Sequence, residues 1–393
     1  MSNLHQQLTE QLGEIEQQGQ LRHLVPVVHL EHGRIDIDGR RYLNLAGNDY
    51  LGLATNRELL DTFYRAQNPE NLLESYGLGS TASRLMTGNT LPYARLEQQL
   101  TALYQAEAAL VFNSGYHLNI GILPALAGKQ DLILADKLCH ASLIDGMRLS
   151  RAKVIRYPHL DYQAIEQVLA QDRQRYRQVF IVTESIFSMD GDTADLAHLV
   201  RLKDRWQATL YVDEAHGVGI RGATGCGLAE EQGVHHQIEI LTGTFGKAYG
   251  GQGAFVVGPR ILIDFLLNTA RSQIFSTGLP PISVHWLGFV LGQIPQMQEQ
   301  RLKVDRMAEQ FRQALRAAGL KTHGNSNIVP VMVGDASRAV AAAEKVCAQG
   351  YWVKAVRPPT VPAGTSRLRL SLNAAMDWEQ LAPLPALIKA SLR

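Results

Sequence analysis

Cysteine is scarce in this chain, with Cys139, Cys226 and Cys347 the only three in 393 residues. They stand far apart and match neither a metal-ligand spacing nor a disulfide framework, so reduced thiols and no metal site are expected. An excess of one charge is lacking too. Lys and Arg number 38 against 37 Asp and Glu, a formal net charge of +1, with the signs interspersed. That balance leaves no electrostatic footprint for nucleic acid or for an anionic membrane surface. No apolar run reaches membrane-spanning length and no signal-peptide pattern opens the chain, so the expectation is a cytoplasmic protein without a membrane segment. Internal repeats, low-complexity stretches and a Gly-x4-Gly-Lys-Ser/Thr nucleotide loop are also missing.

What is present is length and an α/β pattern. The chain exceeds the usual single-domain size, so a large domain and a smaller one are expected. Leu4, Leu8, Leu12 and Ile15 share one face at helical spacing, which predicts an opening amphipathic helix that ends near Gly19 and docks on another subunit. Short strands are expected over 27–30 and 34–45, around His32-Gly33 and the turn Asp38-Gly39-Arg40. Residues 74–89 are too rich in Gly and small hydroxyls for a helix and read as a loop that brings backbone close to a ligand. A helix is expected near 92–104 and another over 117–126. Near-continuous apolar runs at 108–112, 131–135, 178–183, 209–212 and 254–257 read as strands of a parallel sheet buried on both faces. A further boundary is expected near 285–300, followed by a strand at 328–333, a helix at 337–348 capped by Gly350, and a strand at 351–356. Over 366–372, Leu368, Leu370 and Leu372 face one side and Arg367, Arg369 and Ser371 the other. A solvated face is the ordinary reading of two such arginines.

Ligands of open α/β sheets sit outside the carboxyl ends of the strands, and Ser114, Ser188, Asp213 and Lys247 all occupy such positions. Taken singly, each has an ordinary explanation. Lys247 in Thr244-Phe-Gly-Lys could be a solvated loop lysine, and Ser114 before Gly115-Tyr116 could cap a plain turn. The alternatives are an amine desolvated enough to add to a carbonyl, and a helix N-terminus that accepts a phosphate. Asp213, His216 three residues later, and Lys247 together suit pyridoxal 5′-phosphate (PLP), whose ring nitrogen, aldehyde and phosphate each need a different partner.

With Asn48-Asp-Tyr-Leu-Gly-Leu53, the stretch 77–88, Pro358-Pro-Thr-Val-Pro-Ala-Gly-Thr365 and Arg367-Leu-Arg369, these motifs resemble the α-oxoamine synthase family of fold-type I PLP-dependent enzymes over nearly the whole chain. The resemblance implies an α/β fold-type I transferase: an N-terminal helix and strand segment (1–50), a large PLP-binding domain with a mostly parallel sheet (51–290), and a small C-terminal domain (291–393). It implies Lys247 as the Schiff-base lysine, Asp213 beside the pyridine nitrogen, His216 and Ser188 on the phenolic oxygen, and His140 stacked on the ring. For the phosphate it implicates the Gly115 and Tyr116 backbone, the Thr244 hydroxyl and, from the other subunit of an obligate homodimer, Thr277. Arg369 matches the arginine that holds the amino-acid carboxylate. Arg22, Asn48, Ser80 and Thr360 are assigned to substrate binding, the first three on the acyl-thioester side.

Within that family the motifs are most similar to the member that condenses L-alanine with a pimeloyl thioester, carried by CoA or acyl carrier protein, in biotin biosynthesis. Relatives that use glycine with acetyl-CoA or succinyl-CoA, or serine with a long-chain acyl thioester, are the alternatives. A PLP-binding regulator without turnover is the alternative of another class, disfavoured because no DNA-binding domain or basic patch is left over. Thr81-Ala82 stand where many relatives have Gly-Gly, which adds bulk beside the expected acyl channel. Gly217 occupies a position that varies among relatives and carries no inference.

Overall fold

The computed structural model describes residues 3–17 and 20–393. Its opening helix, Asn3–Gln17, buries no residue and leaves Leu4, Leu8, Leu12 and Ile15 exposed. The expected end at Gly19 lies outside the described residues. β1 (Val28–Leu30), β2 (Arg34–Ile37) and β3 (Arg40–Asn44) follow as an antiparallel meander. His32-Gly33 and Asp38-Gly39 make its turns, with φ of 58° and 67°, then 52° and 79°. Paired positive φ is the geometry that matches the right-handed twist of a hairpin.

The centre is a seven-stranded sheet. β4 (Ala108–Phe112), β5 (Leu132–Asp136), β6 (Lys153–Tyr157), β7 (Val179–Glu184), β8 (Thr209–Asp213), β9 (Ile240–Thr244) and β10 (Ala254–Gly258) lie in the order β4-β10-β9-β8-β7-β5-β6. Only β10 runs against its neighbours. Alternate residues feed two apolar layers: Leu132, Leu134, Ile181 and Val212 on one face, Ile133, Phe180, Val182 and Tyr211 on the other. Both faces are covered, which is why these strands read as unbroken apolar runs.

A second sheet has the order β11-β14-β13, from β11 (Ile328–Gly334), β13 (Lys354–Val356) and β14 (Ser366–Ser371). β12 (Tyr351–Trp352) leaves it and pairs in parallel with β3. The single strand expected over 351–356 is therefore split at Val353, because its two halves pair with different sheets. The N-terminal meander thus leans on the C-terminal part, where Leu43 and Leu45 pack with Phe311, Val331 and Leu370. The helix expected at 337–348 spans Ala336–Cys347 and is capped by Ala348. Gly350, at φ 89°, instead closes the turn beyond it through its N–H to Cys347 O at 3.0 Å.

Residues 74–89 are not all loop. Arg84–Gly88 forms one wide π-helical turn. The buried Arg84 guanidinium holds it, donating to Glu97, Asn89 and Val111 O, and Gly88 is required because a Cβ there would lie 2.1 Å from Ala82 O. No helix among the described residues is long and apolar enough to cross a membrane.

Candidate active site

Because the parallel strands end on one edge, the residues just beyond β4, β7, β8 and β9 share one cleft. β9 ends at Thr244, and a tight turn follows. Gly251 N–H reaches Phe245 O and Gly250 N–H reaches Lys247 O, each at 2.9 Å, with Phe245 and Tyr249 buried edge to face beneath. The turn presents Lys247, whose Nζ lies 2.9 Å from His216 Nε2. His216 Nδ1 lies 2.7 Å from the Tyr50 hydroxyl, and that hydroxyl lies 3.1 Å from Asn48 Oδ1. Asn48 Oδ1 accepts from Arg369 Nη2 at 3.1 Å, and Arg369 Nε donates to Ser188 O at 2.6 Å. Lys247, His216, Asn48, Arg369 and Ser188 are thereby joined in one chain of contacts, with Ser188 taking part through its carbonyl.

A second chain crosses the sheet end. Asp213 accepts from Asn119 Nδ2 and from Ala215 N–H, both at 2.9 Å. Asn119 Nδ2 also donates to Ser142 Oγ at 2.9 Å, which sits 2.8 Å from His140 Nδ1. His140 caps the helix Ala141–Leu149, and its N–H donates to buried Glu184 at 2.6 Å. Gly115 opens the helix Gly115–Leu126, capped by Ser114 Oγ through His117 N–H. A Cβ at Gly115 would meet only Thr244, at 3.9 Å, so backbone and Thr244 lie side by side. The Thr244 hydroxyl itself donates to Gly253 O at 3.0 Å.

Burial holds the Lys247 amine down to about 8, helped by the Arg369 charge and opposed by Asp213 and Glu184. Burial likewise keeps His216 well below its ordinary value, with Lys247 and Arg369 pushing the same way, so its ring is neutral. His140 is open at the cleft mouth, yet the protein around it lowers its pKa against the pull of Asp213. Glu184 is raised well above the carboxylate range by burial and by neighbouring Asp213.

Other expected residues lie apart from these chains. Ser80 is buried, with its hydroxyl on Gly278 O at 2.6 Å and Leu279 O at 3.0 Å. Thr277 is exposed, and its carbonyl accepts from Asn113 Nδ2 at 2.7 Å. Arg22 and Thr360 line a groove of about 670 Å³ with Met189, Trp352 and Arg357. The arginine face of β14 is buried rather than solvated, with Arg367 and Arg369 4% and 9% exposed. Both guanidiniums turn onto the β7 loop, Arg367 onto Asp190 and Arg369 onto Ser188 O.

Sequence reasoning missed Tyr50, Asn119 and Glu184. Asn119 had a signal, a polar residue inside an otherwise apolar helix. Glu184 ends a buried strand just as Asp213 does, whereas Tyr50 stood out only as part of the motif Asn48–Leu53 and gave no signal of its own.

The donor set fits PLP. It offers an amine whose pKa burial lowers to about 8, an oriented carboxylate and a neutral imidazole. The first-turn N–H groups of Gly115 and Tyr116 have no acceptor among the described residues, as a phosphate site at a helix N-terminus requires.

The family model for aminotransferase class I and II matches residues 40–386. The 8-amino-7-oxononanoate synthase of Chlorobaculum parvum is 46% identical over 91% of this chain and 91% of its own length. That of Haemophilus ducreyi is 45% identical over 96% and 98%. Among solved structures, the serine palmitoyltransferase of Sphingomonas wittichii superposes with a TM-score of 0.89 at 29% identity, covering 99% of this chain and 97% of its own. The 8-amino-7-oxononanoate synthase of Francisella tularensis gives 0.75 at 27% identity, covering 89% and 97%. The chain belongs to the aminotransferase class I and II family and, within it, to the α-oxoamine synthases that include the 8-amino-7-oxononanoate synthases.

Proposed function

We propose that this chain condenses L-alanine with a pimeloyl thioester to 8-amino-7-oxononanoate, releasing CO₂ and free thiol, as the PLP-dependent acyltransferase step of biotin biosynthesis. The observation that carries the reading is Lys247 itself, an amine that burial lowers to a pKa of about 8, held on His216 and within the field of Asp213, in a chain 46% identical to an 8-amino-7-oxononanoate synthase. When bound, PLP supplies an electron sink for negative charge developed at the amino acid Cα.

The residues around that sink have separable tasks. Asp213, oriented by Asn119 and Ala215, would keep a proton on the pyridine nitrogen. His140 would pack on the ring, and His216 and Ser188 would meet its phenolic oxygen. The Gly115 and Tyr116 N–H groups, Thr244 and a partner subunit's threonine equivalent to Thr277 would hold the phosphate. Arg369 would bind the amino-acid carboxylate. Its bonds to Ser188, Ser371 and Asn48 fix the fork and leave Nη1 a donor to spare. Lys247, once neutral, would take the Cα proton and return it. Arg22, Asn48, Ser80 and Thr360 would serve the acyl substrate, carried by CoA or acyl carrier protein.

The same reading includes a homodimer with shared sites, supported by the exposed apolar face of Asn3–Gln17. It also includes a cytoplasmic location, supported by three free cysteines. The division near 290 is supported by separate apolar clusters around the two main sheets, the second of which also takes in Leu43 and Leu45 of the 1–50 segment.

The test presents the PLP-loaded protein with L-alanine, glycine or L-serine, each with pimeloyl-CoA, and measures thiol release. Release with alanine is expected. The serine arm matters because serine palmitoyltransferases share the fold at a TM-score of 0.89. Release only with glycine or serine rejects the substrate assignment. Lys247→Ala should lower turnover on the order of 10³-fold or more, and an unaltered rate would remove Lys247 from the chemistry.

A further inference from the structure

Arg367 and Arg369 stand on one face of β14, about 7 Å apart at the two-residue spacing of a strand. Both are buried, yet of the two only Arg367 forms an ion pair among the described residues. Its Nη1 donates to Asp190 Oδ1, the oxygen that also accepts from His323 Nε2 at 2.7 Å. Burial works against the Asp190 carboxylate, but the His323 bond and the Arg367 charge hold it below its ordinary value, so it is ionised. Around Arg369 each partner among the described residues is neutral: Ser188 O at 2.6 Å, Ser371 Oγ at 2.8 Å, Asn48 Oδ1 at 3.1 Å and the Tyr50 hydroxyl at 3.5 Å. A buried cation without a carboxylate is costly, and pairing with one would relieve that cost. The β7 loop that sets Ser188 O on Arg369 carries Asp190 two residues later. Just beyond, Gly191 O accepts from the Asn325 and Ser326 N–H groups, both at 3.0 Å, which pins the loop over the arginine face. A carboxylate facing two adjacent cations has two possible pairings, and the one observed spends Asp190 on Arg367.

We propose that Arg367 is a positioning residue for substrate binding: by engaging Asp190 it keeps that carboxylate off Arg369, whose charge is left for the carboxylate of the amino acid. The inference rests on the reading of Arg369 as the carboxylate-binding arginine and goes beyond it. Without Arg367, Asp190 would turn to the spare Nη1 donor of Arg369 or face the incoming carboxylate as a like charge. Either outcome costs an amino acid its carboxylate contact and leaves a plain amine untouched. His323 has 43% of its side chain exposed, so its bond alone holds Asp190 weakly.

The experiment titrates the PLP-loaded, full-length protein with L-alanine and with ethylamine, which is alanine without its carboxyl group, and reads Kd from the absorbance of the bound cofactor. No thioester is added, so the result is separate from thiol release. Arg367→Gln should raise the alanine Kd about tenfold or more, the scale of one charge-assisted hydrogen bond, and leave the ethylamine Kd within about twofold. Combining it with Asp190→Asn should return the alanine Kd to within about threefold of wild type, because neither charge then remains to compete. Arg369→Gln tests the premise: an unchanged alanine Kd there removes Arg369 from carboxylate binding and the proposal with it. Where Arg369→Gln does weaken alanine, wild-type alanine binding by Arg367→Gln overturns the proposal alone. So does an equal loss for alanine and ethylamine, the mark of a residue whose role is merely structural. The double variant leaves neither charge buried alone, so it decides even where Arg367→Gln does not fold, and weak alanine binding by it overturns the proposal.

Discussion

His159 is bonded on both ring nitrogens, Nδ1 to Asp136 at 2.9 Å and Nε2 to Asp192 at 2.6 Å, and stands edge-on to Phe187. Carboxylates only accept, so both nitrogens carry protons. Burial works against the imidazolium, but the two carboxylates raise its pKa to about 10. A folded value above the unfolded one of about 6.5 gives stability that is complete below that pH and is lost as pH climbs through the folded value. The wild type should therefore lose stability between roughly pH 6.5 and 10 with a slope of up to about 1.4 kcal/mol per pH unit from this group. His159→Gln should be less stable near neutrality and flatter in that window. Urea midpoints measured from pH 6 to 10 check it, and parallel curves for both proteins would contradict it. His159 gave no sequence signal because its partners close the ends of distant segments, and the same holds in the site. Lys247, Asp213 and His216 were legible because each follows an apolar strand. Tyr50 was not, because the hydrogen bond that gives it meaning spans 166 residues.

Local conformation explains where sequence patterns succeeded and failed on the scale of elements. Period-two alternation in β14 showed that Arg367 and Arg369 share a face, but not that the β7 loop covers that face. Composition called 74–89 a loop, although one buried cation organises its end. Arg84 bridges the turn Arg84–Gly88 to Glu97 on the next helix and to Val111 O on β4, and packs over Tyr93 at 4.1 Å. Arg84→Met would strand Glu97, and a loss of about 3 kcal/mol is expected in urea denaturation, the usual result of removing one partner of a buried pair. A loss below about 1 kcal/mol would show that the turn is held by something else. Just upstream, Thr81 has φ 55°, a left-handed conformation that a β-branched residue adopts only under strain. Glycine adopts this backbone without that strain. Thr81→Gly should stabilise the chain by about 0.5–1 kcal/mol, strain relief exceeding the added freedom of the unfolded chain. A destabilised Thr81→Gly would mean the Thr81 side chain contributes contacts that outweigh its strain.

For the whole molecule, the question is whether one chain holds a complete site. Lys247, His216, Asp213 and Arg369 converge within a single chain, but Ser80 and Thr277 make their contacts in the 277–279 segment and at Asn113. If Thr277 serves the phosphate of the partner subunit, each site of a homodimer draws Lys247 from one chain and Thr277 from the other. The two defects Lys247→Ala and Thr277→Asp then complement each other. A dimer containing one chain of each kind has one site with both lesions and one with neither. Random mixing makes about half the dimers mixed, so thiol release should recover to about a quarter of wild type when the variants are unfolded and refolded together. Refolded separately, each should stay low, because the first variant lacks the amine and the second sets an introduced carboxylate against the phosphate. Recovery absent from a mixture that still forms dimers by light scattering would place Thr277 in its own chain's site or outside the site altogether. In the same preparation Leu8→Glu with Leu12→Glu tests whether the exposed face of Asn3–Gln17 belongs to that interface. Charge on a buried face should weaken dimers, whereas on a free face it would leave the mass distribution unchanged.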